Sequence, residues 1–457
     1  MSGSLLIRGG QVVSSADITA ADVRIRSGVV AEIGSELKPE GEETIDAHGL
    51  YVLPGVIDAH THQWEPGFLS PPDFRDVTTS AAVGGITTII DHPLTRPEVL
   101  DARIFQGKVE LGERTALVDF ALYAGVNPGK LEAMDALWAA GAAGFKFFTC
   151  DSGSALRPFL TPRDQRELLL RIRALDAIAL VHAEDQMILD QARTRFEAEG
   201  RDDLEAFFEW RSPAAERAAM GAILQVALET GARTYFAHVS LPEAAAEIAA
   251  AREGGAAVYA ETCPHYLSLT QAELLADNAW ATSAPPVRDH AHRDRLRSQL
   301  TNEISVVGSD HCSAPGGDRS AFSSVHGLPG IETMLPLLLD LVNQGVLKLE
   351  RLVALVCEHP ASLFGLAPRK GFLRPGADGD VTLVDTAHAT LLDAKQMVGS
   401  AGWTPYQGRR LHGRVVRTIV RGTTVALDGK IVASPGFGRF IRRSSSPVDL
   451  HRMVAHG

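Results

Sequence analysis

Residues 51–62 read YVLPGVIDAHTH. The apolar run Tyr51 to Ile57 has the texture of a strand, and it delivers His60 and His62 just as the run ends. Strand side chains alternate with a period of two, so these imidazoles point the same way and can hold one metal ion together. Four more polar residues close short, apolar, β-prone runs: Lys146 in GAAGFKFFTC, His182 in AIALVHAED, His238 in ARTYFAHVS and Asp310 in EISVVGSDHC. Helix-like stretches stand between them, LTPRDQRELLLRIRAL before Ala177 and LPEAAAEIAAAREGG after Ser240. Strand alternating with helix is the pattern of parallel βα units.

Counting the units predicts a closed fold. Strand ends fall near His60, Asp91, Asn127, Lys146, His182, His238, Glu261 and Asp310. Eight βα units form a (β/α)8 barrel, with functional groups at the carboxyl ends of its strands. The first residues, LLIRGGQVV and DVRIRSGVVAEIG, and the late stretches GFLRPGADGDVTLVD and VVRTIVRGTTVALDGKIV are strand-rich and punctuated by glycine. The expected α/β architecture is therefore a (β/α)8 TIM barrel over 54–370, beside a small β-sandwich domain built from both chain termini, 1–53 and 371–440. Residues 441–457 read as a peripheral arm that could pack on a neighbouring subunit.

The bulk numbers agree with a large hydrophobic core. The chain has 457 residues, 45% of them hydrophobic, and a net charge of −12 without a basic patch. That balance argues against nucleic acid as a partner. No run of about 18 apolar residues suggests a membrane span, and the N-terminus has no signal-peptide pattern. Cys150, Cys263, Cys312 and Cys357 have no metal-finger spacing and read as free thiols of a cytoplasmic protein. The first three follow strand ends and could approach the site.

The proposed ligands are chemically mixed. Neutral imidazole suits zinc and other divalent transition metals, and Asp310 can both bind metal and move a proton. Lys146 is the odd member, because a buried ammonium beside cations is repelled and costly. It is either outside the first ring of ligands or chemically changed. Reaction of the free amine with carbon dioxide gives a carbamate, an anion able to bridge two metals.

The strings GVIDAHTH, GGITTIID, GFKFF, VHAED, HVS, ETCPHYL, GSDH, GLPGIETMLPLLL and HPASLFGL carry a resemblance in their order. The chain resembles the amidohydrolase superfamily, in the cyclic-amidohydrolase branch of hydantoinases, dihydropyrimidinases, allantoinases and dihydroorotases, from about Gly9 to Val432. The resemblance implies two zinc ions, His60 and His62 with Asp310 on the first, His182 and His238 on the second. It implies Lys146 as N6-carboxylysine between them, and Asp310 as the catalytic acid/base. It implies hydrolysis of a small cyclic amide or ureide, and a homotetramer or homodimer. Some relatives on this fold are non-enzymatic scaffolds that have lost metal ligands, whereas this chain keeps all six.

The ring is read from the departures. Trp64 stands where dihydroorotases have a carboxylate-binding arginine, and Asp91 where they have an asparagine. EPG after the histidines, IIDHPLTRP, KFFTCDSG and ETCPHYL resemble allantoinases, which are the first expectation. Asp151 stands where hydantoinases have a tyrosine. Trp64, with Phe68 nearby, would give an apolar mouth, so a hydantoinase or dihydropyrimidinase acting on a more apolar ring is the alternative. Trp64, Asp91, Asp151, His265 and His326 are the expected substrate contacts. His265 and His311 could equally support the ligands from behind, and the roles of His92 and His326 stay open.

Overall fold

The computed structural model describes residues 3–67, 73–151, 159–277, 279–312, 320–322 and 326–443. Its strands are, in chain order, β1 (Leu5–Val13), β2 (Ile18–Arg26), β3 (Val29–Gly34), β4 (Glu43–Asp46), β5 (Tyr51–Pro54), β6 (Val56–Thr61), β7 (Ile86–Asp91), β8 (Asp119–Leu122) and β9 (Ala124–Gly125). Then come β10 (Phe145–Phe148), β11 (Ala179–His182), β12 (Thr234–Phe236), β13 (Val258–Thr262), β14 (Val306–Val307), β15 (Val381–Leu391), β16 (Arg410–Val420), β17 (Thr423–Leu427) and β18 (Lys430–Ile431).

β6 to β14 form the barrel. β6, β7 and β8 pair in parallel, as do β9 to β14 in sequence order. β8 and β9 are two halves of one strand, interrupted at Tyr123. The Tyr123 N–H donates to the Asp91 carbonyl at 2.9 Å, while the Ala124 N–H turns to the Gly144 carbonyl at 3.0 Å. The ring closes where Thr61 pairs with His311 and the His62 N–H donates to the His311 carbonyl at 2.8 Å.

Alternation sorts the side chains into two layers. Leu180 joins Ile57, Ile90, Tyr235 and Tyr259 inside the barrel, and its neighbour Val181 joins the layer between strands and helices. Both faces of each strand are buried, which is why the runs read as continuously apolar. β10 continues two residues past Lys146, where the apolar pattern was expected to stop. Lys146 and Phe148 therefore project to the same side.

The helices start where chain chemistry directs. Pro162–Ala174 opens with Thr161 accepting from the Asp164 N–H, Asp164 returning the bond, and Pro162 in the first turn. Gln186–Glu199 opens on Asp185, only three residues after His182. This short connection fixes the direction of the β11 end.

The strands from the two chain ends build one sheet in the order β18-β17-β16-β15-β5-β1-β2-β3, with β4 on β1. β5 and β15 join the two halves antiparallel, Tyr51 opposite Val384 and Pro54 opposite Val381. Because β6 starts two residues after β5, this sheet anchors the entry to the His60 strand. Ile441 donates from its N–H to the Phe120 carbonyl at 2.7 Å, and Arg443 donates to the Trp138 carbonyl at 2.9 Å. The start of the expected arm thus lies on its own barrel, and 444–457 are outside the described residues. Among the described residues, no helix is long and apolar enough to cross a membrane.

Candidate active site

A cavity opens at the carboxyl ends of the barrel strands and is lined by His60, His62, Lys146, His182, His238 and Asp310. Five of the six come from different strand ends, so the ring closure of the barrel converts distant sequence positions into one cluster. Trp64, Leu94, Phe148, Cys312 and His326 complete much of the wall.

His60 and His62 close β6 with ring centroids 5.2 Å apart. Asp310 Oδ1 lies 3.1 Å from His60 Nε2 and 3.3 Å from His62 Nε2. His60 Nδ1 is held at 2.7 Å by Glu261 Oε1, which fixes the ring and leaves Nε2 facing the cavity. On the other side, His182 Nδ1 faces His238 Nε2 at 3.0 Å, while His182 Nε2 is 2.9 Å from Glu184 Oε2. Lys146 is buried between the two pairs, its ammonium 5.1 Å from the Phe148 ring centre.

Two of these residues have strained backbones. His238 has φ 40° and Asp310 φ 49°, in the left-handed region that side chains with a Cβ rarely occupy. Each such residue costs about 1–3 kcal/mol and persists only when its surroundings hold it. The His238 N–H is held by Glu261 Oε1 at 3.0 Å. Asp310 is flanked by Ser309, whose N–H donates to Asp58 Oδ1 at 2.9 Å, and by His311, whose N–H donates to Ser309 Oγ at 3.0 Å. The strain turns both side chains towards the barrel axis.

The electrostatics suit cations. Burial, with the charge of Lys146 and neighbouring groups, holds His62, His182 and His238 below the usual imidazole range. Burial opposes the charge of Asp310, but His60, His62 and His238 outweigh it and keep the carboxylate ionised. Burial likewise opposes Glu184, yet Arg211 and His182 hold it down at about 2. His60 Nε2 has no hydrogen-bond partner although Asp310 is close. A buried imidazole nitrogen without a hydrogen-bond partner, facing a carboxylate and further imidazoles, fits a divalent metal.

Not every expected contact reaches the cavity. Asp91 pairs instead with Lys108 at 2.5 Å and accepts from the Gln63 N–H at 3.0 Å, so it anchors the chain just after His62. His265 packs edge-on against Tyr266 with a ring nitrogen within 4.8 Å of the Asp310 carboxylate, and Asp151 is exposed with its N–H donating to Gln186. The side chains of Asp91, His265 and Asp151 are absent from the described lining of this cavity. Trp64 and His326 do line the cavity; His326 Nδ1 is 3.1 Å from Thr282 Oγ1. His92 stacks on His60 at 4.0 Å, and His311 Nδ1 accepts from the Gly330 N–H at 3.2 Å. Cys312 lines the cavity, and Cys150 and Cys263, packed in the core, come within 4.8 Å of His182 and of Asp310 respectively. All four cysteines are free and buried. Phe68 lies outside the described residues. Glu184 and Glu261 were missed as partners of the imidazoles. The signal for Glu184 was its place two residues after His182 in VHAED.

The amidohydrolase family matches residues 51–425 of the chain. An L-hydantoinase of Paenarthrobacter aurescens is 35% identical over 448 residues, covering 96% of this chain and 98% of that protein. An allantoinase of Rubrobacter xylanophilus is 37% identical over 447 residues, covering 96% and 97%. The solved L-hydantoinase (dihydropyrimidinase) of Arthrobacter aurescens superimposes with a TM-score of 0.92 at 35% identity, covering 97% of this chain and 100% of that one. The dihydropyrimidinase of Brevibacillus agri gives 0.91 at 31% identity, covering 96% and 99%. With a barrel, a sheet from both chain ends and a cavity fitted to metal, the chain belongs to the amidohydrolase family, in its cyclic amidohydrolase branch of metal-dependent hydrolases acting on C–N bonds.

Proposed function

We propose that this chain opens a five- or six-membered cyclic amide whose ring substituent is apolar, as in a substituted hydantoin. The observation that carries this reading is the cavity wall, where Trp64, Leu94 and Phe148 stand beside the ligand cluster. An apolar substituent gains by leaving water there, whereas a ureido group would need hydrogen-bonding partners. The described lining contains no arginine to pair with a substrate carboxylate, which disfavours dihydroorotate. Allantoin is the second reading, favoured by the strings EPG, IIDHPLTRP and KFFTCDSG and by likeness to an allantoinase.

His60, His62 and Asp310 would hold one cation, His182 and His238 the other, with Lys146 as a carbamate between them; zinc suits this donor set. Bound there, the cations lower the pKa of water and polarise the scissile carbonyl. Asp310 accepts the proton of the attacking water and hands it to the leaving amide nitrogen, which departs as an amine only when protonated. Glu261 keeps the His60 ring from turning. His326, opposite the ligands, contacts the ring. Four buried thiols support a cytoplasmic location, and a homotetramer or homodimer belongs to the same reading. Assays with allantoin, aryl- and alkyl-substituted hydantoins, dihydrouracil, dihydroorotate and cyclic imides, with zinc and bicarbonate present, test it. Highest kcat/KM on an apolar hydantoin supports the proposal, and highest kcat/KM on allantoin overturns it in favour of the second reading.

A further inference from the structure

Behind His182 and His238 lies a buried polar assembly that the proposed reaction does not use. Glu184, fully buried, meets His182 Nε2 at 2.9 Å with one carboxylate oxygen and ion-pairs through the same oxygen with Arg211, also fully buried. At the neighbouring strand end, the Ser240 N–H donates to Glu216 Oε1 at 2.8 Å, and Glu216 Oε2 pairs with Arg288 at 2.7 Å. Arg288 also donates to Ser240 Oγ at 2.9 Å and to the Arg211 carbonyl at 2.6 Å, which joins the halves. Each half thus grips one of the paired imidazoles, His182 directly and His238 through the backbone two residues on.

Burying two ion pairs is expensive, and an apolar replacement of equal volume is often as stable or more so. The expense has a use if the pairs orient ligands. We infer that the Glu184–Arg211 and Glu216–Arg288 pairs are one positioning device for the second cation. Glu184 keeps the proton of His182 on Nε2 and the lone pair of Nδ1 aimed at His238. Glu216 and Arg288 hold the turn that follows His238, whose backbone is in the left-handed region. The inference rests on the two-cation reading above.

The test compares wild-type protein with Glu184→Gln and with Glu184→Gln/Arg211→Met, which removes the orphaned guanidinium while keeping volume. Zinc per chain is measured by elemental analysis during titration with a chelator, and folding by circular dichroism melts. Removing such a partner costs typically 10–100-fold in metal affinity. The inference expects wild type to give up two zinc ions at two chelator concentrations. The folded double variant should release the second 10–100-fold more easily and the first unchanged. Release of both ions as in wild type by the folded double variant overturns it, and so does equal weakening of both. A wild-type chain that holds fewer than two ions instead overturns the two-cation reading itself.

Discussion

Glu261 offers the most detailed prediction. Its carboxylate is fully buried and accepts three N–H or O–H bonds, from His60 Nδ1 at 2.7 Å and the His238 N–H at 3.0 Å on Oε1 and from the Tyr235 hydroxyl at 2.7 Å on Oε2, besides a weak contact from the Cys263 thiol at 4.0 Å. In Glu261→Gln the amide oxygen can keep both N–H donors, and the amide nitrogen can donate to a Tyr235 hydroxyl that rotates to accept. The three contacts survive and the charge does not. A hydrogen bond to a charged group is worth about 1.5–3 kcal/mol and a neutral one about 0.5–1.5. The variant should therefore hold the first cation about 1–2 kcal/mol less tightly, a five- to thirtyfold loss of affinity. In Glu261→Leu all three donors are buried without partners, at about 1–3 kcal/mol each, and the protein should not accumulate in folded form. Chelator titration reads the first, and soluble yield with circular dichroism reads the second. Wild-type affinity at the first cation in Glu261→Gln, or a folded Glu261→Leu with both cations, refutes the reasoning.

Other outcomes follow from the same geometry. Asp310→Asn should lower kcat by about 10²–10⁴-fold, the usual worth of a general acid/base; steady-state kinetics within threefold of wild type would remove Asp310 from that role. Lys146→Ala should abolish turnover, with partial return on adding short carboxylic acids; full turnover without them contradicts a bridging role. Lys108→Met leaves Asp91 buried and unpaired, which should cost about 3–5 kcal/mol and lower the melting temperature by several degrees; an unchanged melt would show that the pair is not an anchor. Burial pushes Glu332 up to about 7, against the N–H bonds it accepts from Val398 and Gly399. Its folded value is raised, so its contribution is fully present below pH 4.5 and is lost as pH rises through 7. Wild type should lose about 3 kcal/mol relative to Glu332→Gln between those limits, and parallel melts of the two proteins across that range would contradict it.

How far the sequence reached can be traced through single residues. The barrel strands are readable because burial on both faces leaves uninterrupted apolar runs, and five of the six proposed ligands, all but Lys146, mark where those runs break. Asp91 shows the limit. It too closes an apolar run, but its partner Lys108 sits on the helix Ala102–Thr115, and no local pattern announces that pairing. His265 is read only in part: it follows β13 on the short helix Pro264–Ser268, packs edge-on against Tyr266, and still brings a ring nitrogen within 4.8 Å of the Asp310 carboxylate. Glu261 reads as a strand end without a task, since its task depends on His60 arriving from β6 and on Tyr235 and His238 arriving from β12 and its end. Lys146 was expected to end its strand, whereas β10 runs on to Phe148, because a buried lysine facing the barrel axis need not break pairing on the strand itself.

The central claim is a paired-cation centre with a carbon-dioxide-modified amine between the ions. Anomalous diffraction at the zinc edge, from crystals grown with zinc and bicarbonate, tests it most directly. The account predicts two peaks, one among His60, His62 and Asp310 and one beside His182 and His238, with planar density extending from Lys146 Nζ towards both. One peak or none, with a bare ammonium on Lys146, would contradict it.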